Sequence, residues 1–218
     1  LQDKTIEAMF RGQPLFSSSA SFSSNVKPFE IKADFLYPVP VKKDVRPEVT
    51  KIMVCPDAHH PYVDKRAWKT FLKACREVKP DILVIIGDFL DFLSVSAHPK
   101  NPSDNASFKQ ELAQGTRALD QISALGIKRV VFCEGNHCTR ITRYIAANAP
   151  ELYGLMDVKD LLKIKERGWE FVRYGEFIRI GKMSFSHDVG YSGANAARQS
   201  LSAFGNNLTI GHSHRAQV

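Results

Sequence analysis

The chain of 218 residues is 44% hydrophobic, enough to bury a sizeable core, which excludes a wholly disordered protein. No apolar run approaches the roughly 20 residues that cross a bilayer, and no secretory signal is visible, so the expectation is no membrane partner and a cytoplasmic setting. The formal net charge of +7 favours anionic partners such as nucleic acid or phosphorylated molecules, although no run of five Lys or Arg marks a nucleic-acid arm.

In chain order, residues 1–10 read as the end of a helix. The Ser-rich stretch from Arg11 to Asn25 lacks periodicity, and Pro28, Pro38, Pro40 and Pro47 punctuate residues 26–50, which read as extended and loop-like. Residues 1–47 are therefore expected to be an N-terminal arm or linker, or the trailing end of an upstream domain, with the compact domain over residues 48–218. Lys51–Cys55 is a short apolar strand. Asp64–Val78 carries Ala67, Trp68, Phe71, Leu72 and Cys75 at helical spacing. Asp81–Ile86 is a continuous apolar run, as expected of a strand buried on both faces. The pattern then predicts a helix over Phe108–Leu125 ending at Gly126, a strand over Lys128–Cys133, and helices over Arg140–Asn148 and Leu152–Lys165 separated by Pro150. Phe171–Ile180 and Met183–His187 read as a hairpin turning at Gly181-Lys182. A helix over Ala194–Phe204 and a strand over Leu208–Ile210 complete the pattern. Strand–helix alternation closed by a hairpin argues for a layered α/β domain. The four cysteines, Cys55, Cys75, Cys133 and Cys138, form no CxxC pair. Cys55 and Cys133 lie in apolar strands and read as inert buried thiols.

Nearly every predicted strand ends in metal-ligand residue types. Asp57 and His59 follow the first strand, Asp88 and Asp91 the second, Asn136 and His137 the third, His187 the hairpin, and His212 and His214 the last strand. In open α/β sheets ligands gather beyond the carboxyl ends of strands, so these separated segments are expected to meet. Asp57 and His59 are two residues apart, as are His212 and His214, which aims each pair one way on an extended strand end. Gly87, Gly135 and Gly211 precede ligand types where the backbone must come close. Mixed oxygen and imidazole donors suit borderline transition ions better than Ca or Mg.

These residues carry a known pattern. Asp57-Ala58-His59, Gly87-Asp88-Phe89-Leu90-Asp91, Gly135-Asn136-His137, the lone His187 and Gly211-His212-Ser213-His214 resemble, in order, the DxH, GDxxD, GNH, H and GHxH signature of the calcineurin-like metallophosphoesterases. The resemblance covers residues 51–215, and the block from His137 to Pro150, with Arg140 and Arg143, is most similar to phage-encoded members. It implies a four-layer α/β/β/α sandwich with two mixed β-sheets, and host cytoplasm as the setting. It also implies two divalent transition-metal ions, Mn first, with Fe, Zn, Co or Ni as alternatives. Asp57, His59, Asp88 and His214 would hold one ion; Asp88, Asn136, His187 and His212 would hold the other, with Asp88 shared. His137 would be the general acid, oriented by Asp91, and Asn136 and Arg140 would bind substrate. A hydroxide held between the ions would attack the phosphate ester. Family members usually continue beyond the last motif, so the domain is expected to be truncated near Val218, exposing a sheet edge.

One departure stands at Cys138, where the pattern has Asp or Glu; its thiol reads as a variant neighbour of the site or as a soft extra ligand. Arg140 reads equally as a phosphate clamp and as a surface ion pair. Arg143 reads as a solvated helix charge, His98 as a loop residue near the site, His60 and Pro61 as a turn, and Trp68 as core. Three functions remain open: a phosphodiesterase or nuclease on DNA or RNA, a phosphomonoesterase on phosphoproteins or small metabolites, and a weakly active, metal-containing nucleic-acid-binding module.

Overall fold

The structure is a computed structural model that describes residues 49–100 and 106–214. The expected N-terminal arm, residues 1–47, lies outside the described residues. Four strands, β1 (Ile52–Cys55), β2 (Ile82–Ile86), β3 (Arg129–Cys133) and β4 (Glu170–Val172), form one sheet in that order. A second sheet holds β5 (Ile178–Ile180), β6 (Met183–Ser186) and β7 (Leu208–Ile210). Helices α1 (Lys65–Val78), α2 (Phe108–Ser123), α3 (Thr139–Asn148), the single turn α4 (Val158–Leu161) and α5 (Ala196–Phe204) complete the regular structure. Of the two sheets, the second is mixed, pairing β5 with β6 antiparallel and β6 with β7 parallel. The first is parallel throughout, against the expectation of two mixed sheets. The cause is connectivity: α1, α2 and α3 each carry the chain back before the next strand begins.

Strand β2 explains the layering. All five of its residues are buried, and successive side chains point to opposite faces. Leu83 and Ile85 join Val130 and Phe132 under Leu72 of α1, Leu119 and Ile122 of α2, and Ile141 and Ile145 of α3. Ile82, Val84 and Ile86 join Val131 and Cys133 against Ile178, Ile180 and Phe185 of the second sheet. A continuous apolar run is thus what a strand with two dry faces requires, each large side chain contributing about 1.5–3 kcal/mol.

The helices start where their caps dictate. Asp64 accepts hydrogen bonds from the backbone of Arg66 and Ala67 at 2.8 Å each. Ser107 and Gln110 form a reciprocal capping box at the head of α2. The long helix expected over Leu152–Lys165 does not form: a 3-10 turn at Pro150–Leu152 and the one-turn α4 replace it. Gly154 at φ 84° breaks the first segment and Lys163 at φ 54° ends the second. The strand expected over Phe171–Ile180 divides likewise. A turn closed by Glu176 N–H on the Arg173 carbonyl (3.0 Å), with Gly175 at φ 85°, lets β4 stay in the first sheet while β5 enters the second. The hairpin is therefore β5–β6 alone.

Candidate metal centre

Because β1, β2 and β3 are parallel, their carboxyl ends share one edge, and the segments after them meet there. Asp57 and His59 follow β1, Asp88 and Asp91 follow β2, and Asn136 and His137 follow β3. The second sheet is tied to that edge by hydrogen bonds: His187, just after β6, donates Nδ1–H to the carbonyl of Ile86 at the end of β2 (3.0 Å). His212 and His214 follow β7, and the backbone N–H of His212 donates to Asp57 Oδ1 (2.9 Å).

Potential ligand atoms gather in three overlapping groups: Asp57 with His59 and His214; His59 with Asp88 and His137; Asp88 with His187 and His212. Within each group the atoms lie within 4.8 Å of one another. His59 Nε2 stands 3.1 Å from His214 Nε2. Asp88 Oδ2 lies 3.2 Å from His187 Nε2, and Asn136 Oδ1 lies 2.8 Å from the same nitrogen and 2.9 Å from His212 Nδ1. Asp88 is thus common to two groups, and Asn136 sits beside the second.

Proton placement gives this geometry its meaning. His187 places its Nδ1 proton on a carbonyl and His59 places its own on Asp91 Oδ2 (3.0 Å), so each ring turns its other nitrogen inward. Those inward nitrogens face carboxylate and amide oxygens, so each of these contacts needs either a ring proton or a cation between its partners. The field is strong enough to act on the groups themselves. Burial works against the His187 cation, yet the Asp88 hydrogen bond and charge raise its pKa. Burial likewise opposes the Asp88 anion, yet His187 and His137 lower its pKa. Both side chains are about 1% exposed. Such a set calls for positive charge, and its mixed donors fit a divalent transition ion.

The backbone is bent to make this convergence. Asp57, His59, Asp88, His212 and His214 all adopt left-handed conformations, φ 42° to 63°, five of the eight non-glycine residues that do so among those described. Each costs on the order of 1 kcal/mol or more, and such residues cluster at functional sites. Gly135 lies against Asp88, and a Cβ there would collide with the Asp88 carboxylate and backbone. Gly87, at φ 97°, touches the His187 ring in the same way.

Beside the ligand groups, Asp91 gathers three partners. Its carboxylate accepts from His59 and, on Oδ1, from Arg140 Nη1 (2.9 Å), while His137 Nδ1 stands 3.5 Å from Oδ2. Burial opposes its ionisation, but His137 and His59 hold its pKa well below the usual carboxylate range. The Asp91 carbonyl accepts from both His137 Nδ1–H (3.0 Å) and Arg140 (2.9 Å). Arg140 also donates from Nη2 to His137 Nε2 (3.0 Å). Arg140 is therefore neither of the two expected things alone: its guanidinium is committed to Asp91 and His137 while still lining a cleft at the site.

Several roles were not visible in the sequence. Arg143 is not simply a solvated charge: its Nη2 donates to the Asn136 carbonyl (3.2 Å) and to Thr139 Oγ1 (2.6 Å), and Thr139 donates to the same carbonyl (2.7 Å). No spacing announces it, because Asn136 precedes α3 and offers its carbonyl and not its side chain. Tyr174 lies with its ring 6.3 Å from that of His187, and burial followed by its bond to Asp188 pushes its pKa up to about 12. No local pattern announces that contact. Cys138 is buried in the apolar cluster with Ile141 and Ile145, and burial raises its thiol well above the usual range; it belongs to no ligand group among the described residues. His60 and Pro61 form the expected turn, closed by Tyr62 N–H on the His59 carbonyl (2.7 Å), and the His60 ring is also core, packed between Trp68 and Phe89.

Comparison with known proteins agrees with the motif reading. The chain is 28% identical over 183 residues to the Gene 54 protein of Mycobacterium phage D29, covering 77% of this chain and 70% of that one. It is 26% identical over the same coverage to the Gene 54 protein of Mycobacterium phage L5. No solved structure matches significantly. No helix among the described residues is long and apolar enough to cross a membrane. The family model for calcineurin-like phosphoesterases matches residues 50–215, the same span whose strand ends build the metal centre. The chain accordingly belongs to the calcineurin-like phosphoesterase family, metal-dependent hydrolases of phosphoric esters.

Proposed function

We propose that this protein is a two-metal phosphodiesterase or nuclease acting on DNA or RNA in the host cytoplasm, with Mn²⁺ as its preferred ion and Fe, Zn, Co or Ni as alternatives. The observation that carries the reading is the sharing of Asp88 between two adjoining ligand groups. Asp57, His59, Asp88 and His214 would hold one ion, His59 being the residue that links the Asp57 and His214 group to Asp88, and Asp88, Asn136, His187 and His212 would hold the second. Bound there, the ions would supply an acidified water and positive charge for the phosphate oxygens. Ile86 and Asp91 fix the outer nitrogens of His187 and His59, which keeps the inner nitrogens aimed.

His137 acts as general acid. In its present state its Nδ1 proton is on the Asp91 carbonyl and its Nε2 accepts from Arg140. An incoming phosphate oxygen competes for that guanidinium, and Arg140 moves toward it. His137 Nε2, freed of that contact, takes up a proton from solvent and passes it to the leaving oxygen, while Asp91 holds the ring. Asn136 also reaches the substrate, from beside Arg140 at the same end of the adjoining cleft. The domain is taken as residues 48–218, preceded by an arm, with α5 as the fourth layer over the second sheet. Ala196 and Ser200, buried on α5, support that placement. The net charge of +7 and the phage relatives favour nucleic acid over a small monoester.

The test is turnover by Mn²⁺-loaded protein on bis-p-nitrophenyl phosphate, p-nitrophenyl phosphate and single-stranded DNA. Hydrolysis of the diester and the DNA is expected. Cleavage of the monoester alone would make the protein a phosphomonoesterase. No turnover at all, with salt-sensitive DNA binding retained, would make it a binding module.

A further inference from the structure

A cleft of about 340 Å³ opens directly off the metal centre, between the turn Val95–His98 and one face of α3. Asn136 and Arg140 form its inner end; Arg143, Tyr144, Ala147 and Asn148 form its α3 wall. Residues 140, 143, 144 and 147 keep the three-and-four spacing of a single helix face. Among the described residues no carboxylate lines this cleft, whereas Arg140 and Arg143 both do. The larger cleft on the other side of Arg143, about 500 Å³, is different: Glu134 and Asp157 line it together with Arg173. A polyanion leaving the metal centre would therefore meet attraction along one path and mixed charge along the other.

Two features specify the ligand further. Arg143 is held along one edge by the Asn136 carbonyl and Thr139, so its guanidinium is positioned before anything binds. Tyr144 is 47% exposed at the wall, and Asn148 Nδ2–H donates to its carbonyl (2.9 Å). An exposed phenol ring one residue from a fixed guanidinium offers a flat apolar face beside a charged donor, Nη1 being the nitrogen left to meet a phosphate. The volume falls within the range of small-molecule sites.

We propose that this cleft is a nucleotide subsite for single-stranded nucleic acid, in which Tyr144 stacks an unpaired base and Arg143 holds the phosphate adjoining the one at the metal centre. The proposal rests on the diesterase reading above and adds the strand state and the residues that select it. A base must be unstacked to lie on Tyr144, so paired DNA is a poor substrate.

The test compares wild type, Tyr144→Ala, Tyr144→Phe and Arg143→Ala in the Mn²⁺-loaded full chain. The ratio of kcat/KM on oligo-dT to that on bis-p-nitrophenyl phosphate should fall about tenfold in Tyr144→Ala, through KM, because base–aromatic stacking carries about 1–3 kcal/mol. Tyr144→Phe should restore it. Arg143→Ala should flatten the salt dependence of the oligonucleotide KM by about one phosphate contact. An unchanged ratio in Tyr144→Ala, or a Phe variant as impaired as Ala, overturns the subsite while leaving the hydrolase reading intact. If wild type turns over no diester at all, the hydrolase reading fails by itself. The subsite is then read by anisotropy of fluorescein-labelled oligo-dT in EDTA: a tenfold weaker affinity in Tyr144→Ala supports it, and equal affinity overturns it.

Discussion

Asp91 is the residue on which three side chains of the site depend, although it belongs to none of the ligand groups. It accepts from His59 and Arg140, and its carbonyl accepts from His137. Asp91→Asn would keep the shape but place an amide where two donors point. A fall in kcat of about 10–100-fold is expected, the usual effect of disturbing a group that orients ligands. Metal content by mass spectrometry should stay near that of wild type; a protein emptied of metal would show that Asp91 is itself a ligand. Cys138 calls for the opposite experiment. The family pattern suggests that an acid there would improve the enzyme, but the thiol is 1% exposed among Ile141, Ile145 and their neighbours. Cys138→Asp should therefore lose about 2–4 kcal/mol in urea unfolding and gain no activity, since the carboxylate would enter apolar surroundings without a partner. Equal stability with raised turnover would show that the helix start can reopen toward the metals. At this scale the candidate ligands were legible because each comes after an apolar strand. Arg143 was not, since a charge on an amphipathic helix gives no sign of whether water or a backbone carbonyl will meet it.

At the scale of elements, α2 does more than cover the sheet. Its Glu111 is fully buried and holds the 3-10 turn Leu93–Val95 by accepting from Leu93 N–H (2.8 Å) and from the Ser94 hydroxyl (2.5 Å). That turn comes just after Asp91 and begins one wall of the cleft, so one carboxylate couples a core helix to the approach to the site. Glu111→Ala should cost about 3 kcal/mol, because it strands several buried donors at once. The direction of the pKa shift sets the pH dependence. Burial raises the Glu111 pKa above its ordinary 4.5, against the pull of the Ser94 and Leu93 bonds. A raised value means that the contribution is fully present below pH 4.5 and is lost as pH climbs through the folded-state value. Glu111→Gln, which cannot ionise, should gain on wild type across that interval in paired urea titrations; a difference that does not vary with pH would contradict it. Sequence reading named the main helices and the buried strands well, because their periods differ and their caps are local. It failed where an element ends for a backbone reason inside an apolar pattern: Gly154 cutting a supposed helix, and Gly175 dividing a supposed strand between two sheets. It also misjudged the first sheet as mixed, since strand direction depends on how helices return the chain and not on residues within the strands.

For the whole molecule, the metal centre is the place where the two sheets are joined beyond their apolar contact, and its stability should depend on what fills it. His187 from the second sheet binds the Ile86 carbonyl of the first, and His212 N–H binds Asp57, which lies just after β1. Five candidate ligand residues hold left-handed backbones there, and in each group carboxylate and imidazole ligand atoms converge within 4.8 Å of one another. Both terms weaken the folded chain in the absence of cations, and both are offset when cations bind. An ion that binds the folded state alone, at about 100 times its dissociation constant, adds about 2.7 kcal/mol. For a chain of this length each 1 kcal/mol moves Tm by about 2–4 °C, so Mn²⁺ should raise Tm by about 5–11 °C over EDTA-treated protein. Asp88→Asn should remove most of that rise, because its carboxylate is common to two of the three groups, whereas His214→Ala should remove only part, since His214 belongs only to the more exposed group with Asp57 and His59. A melting temperature indifferent to both Mn²⁺ and EDTA would mean that the converging side chains are held by their own hydrogen bonds and not by metal. An equal loss in the two variants would mean that Asp88 is a ligand to one ion and not the bridge between two.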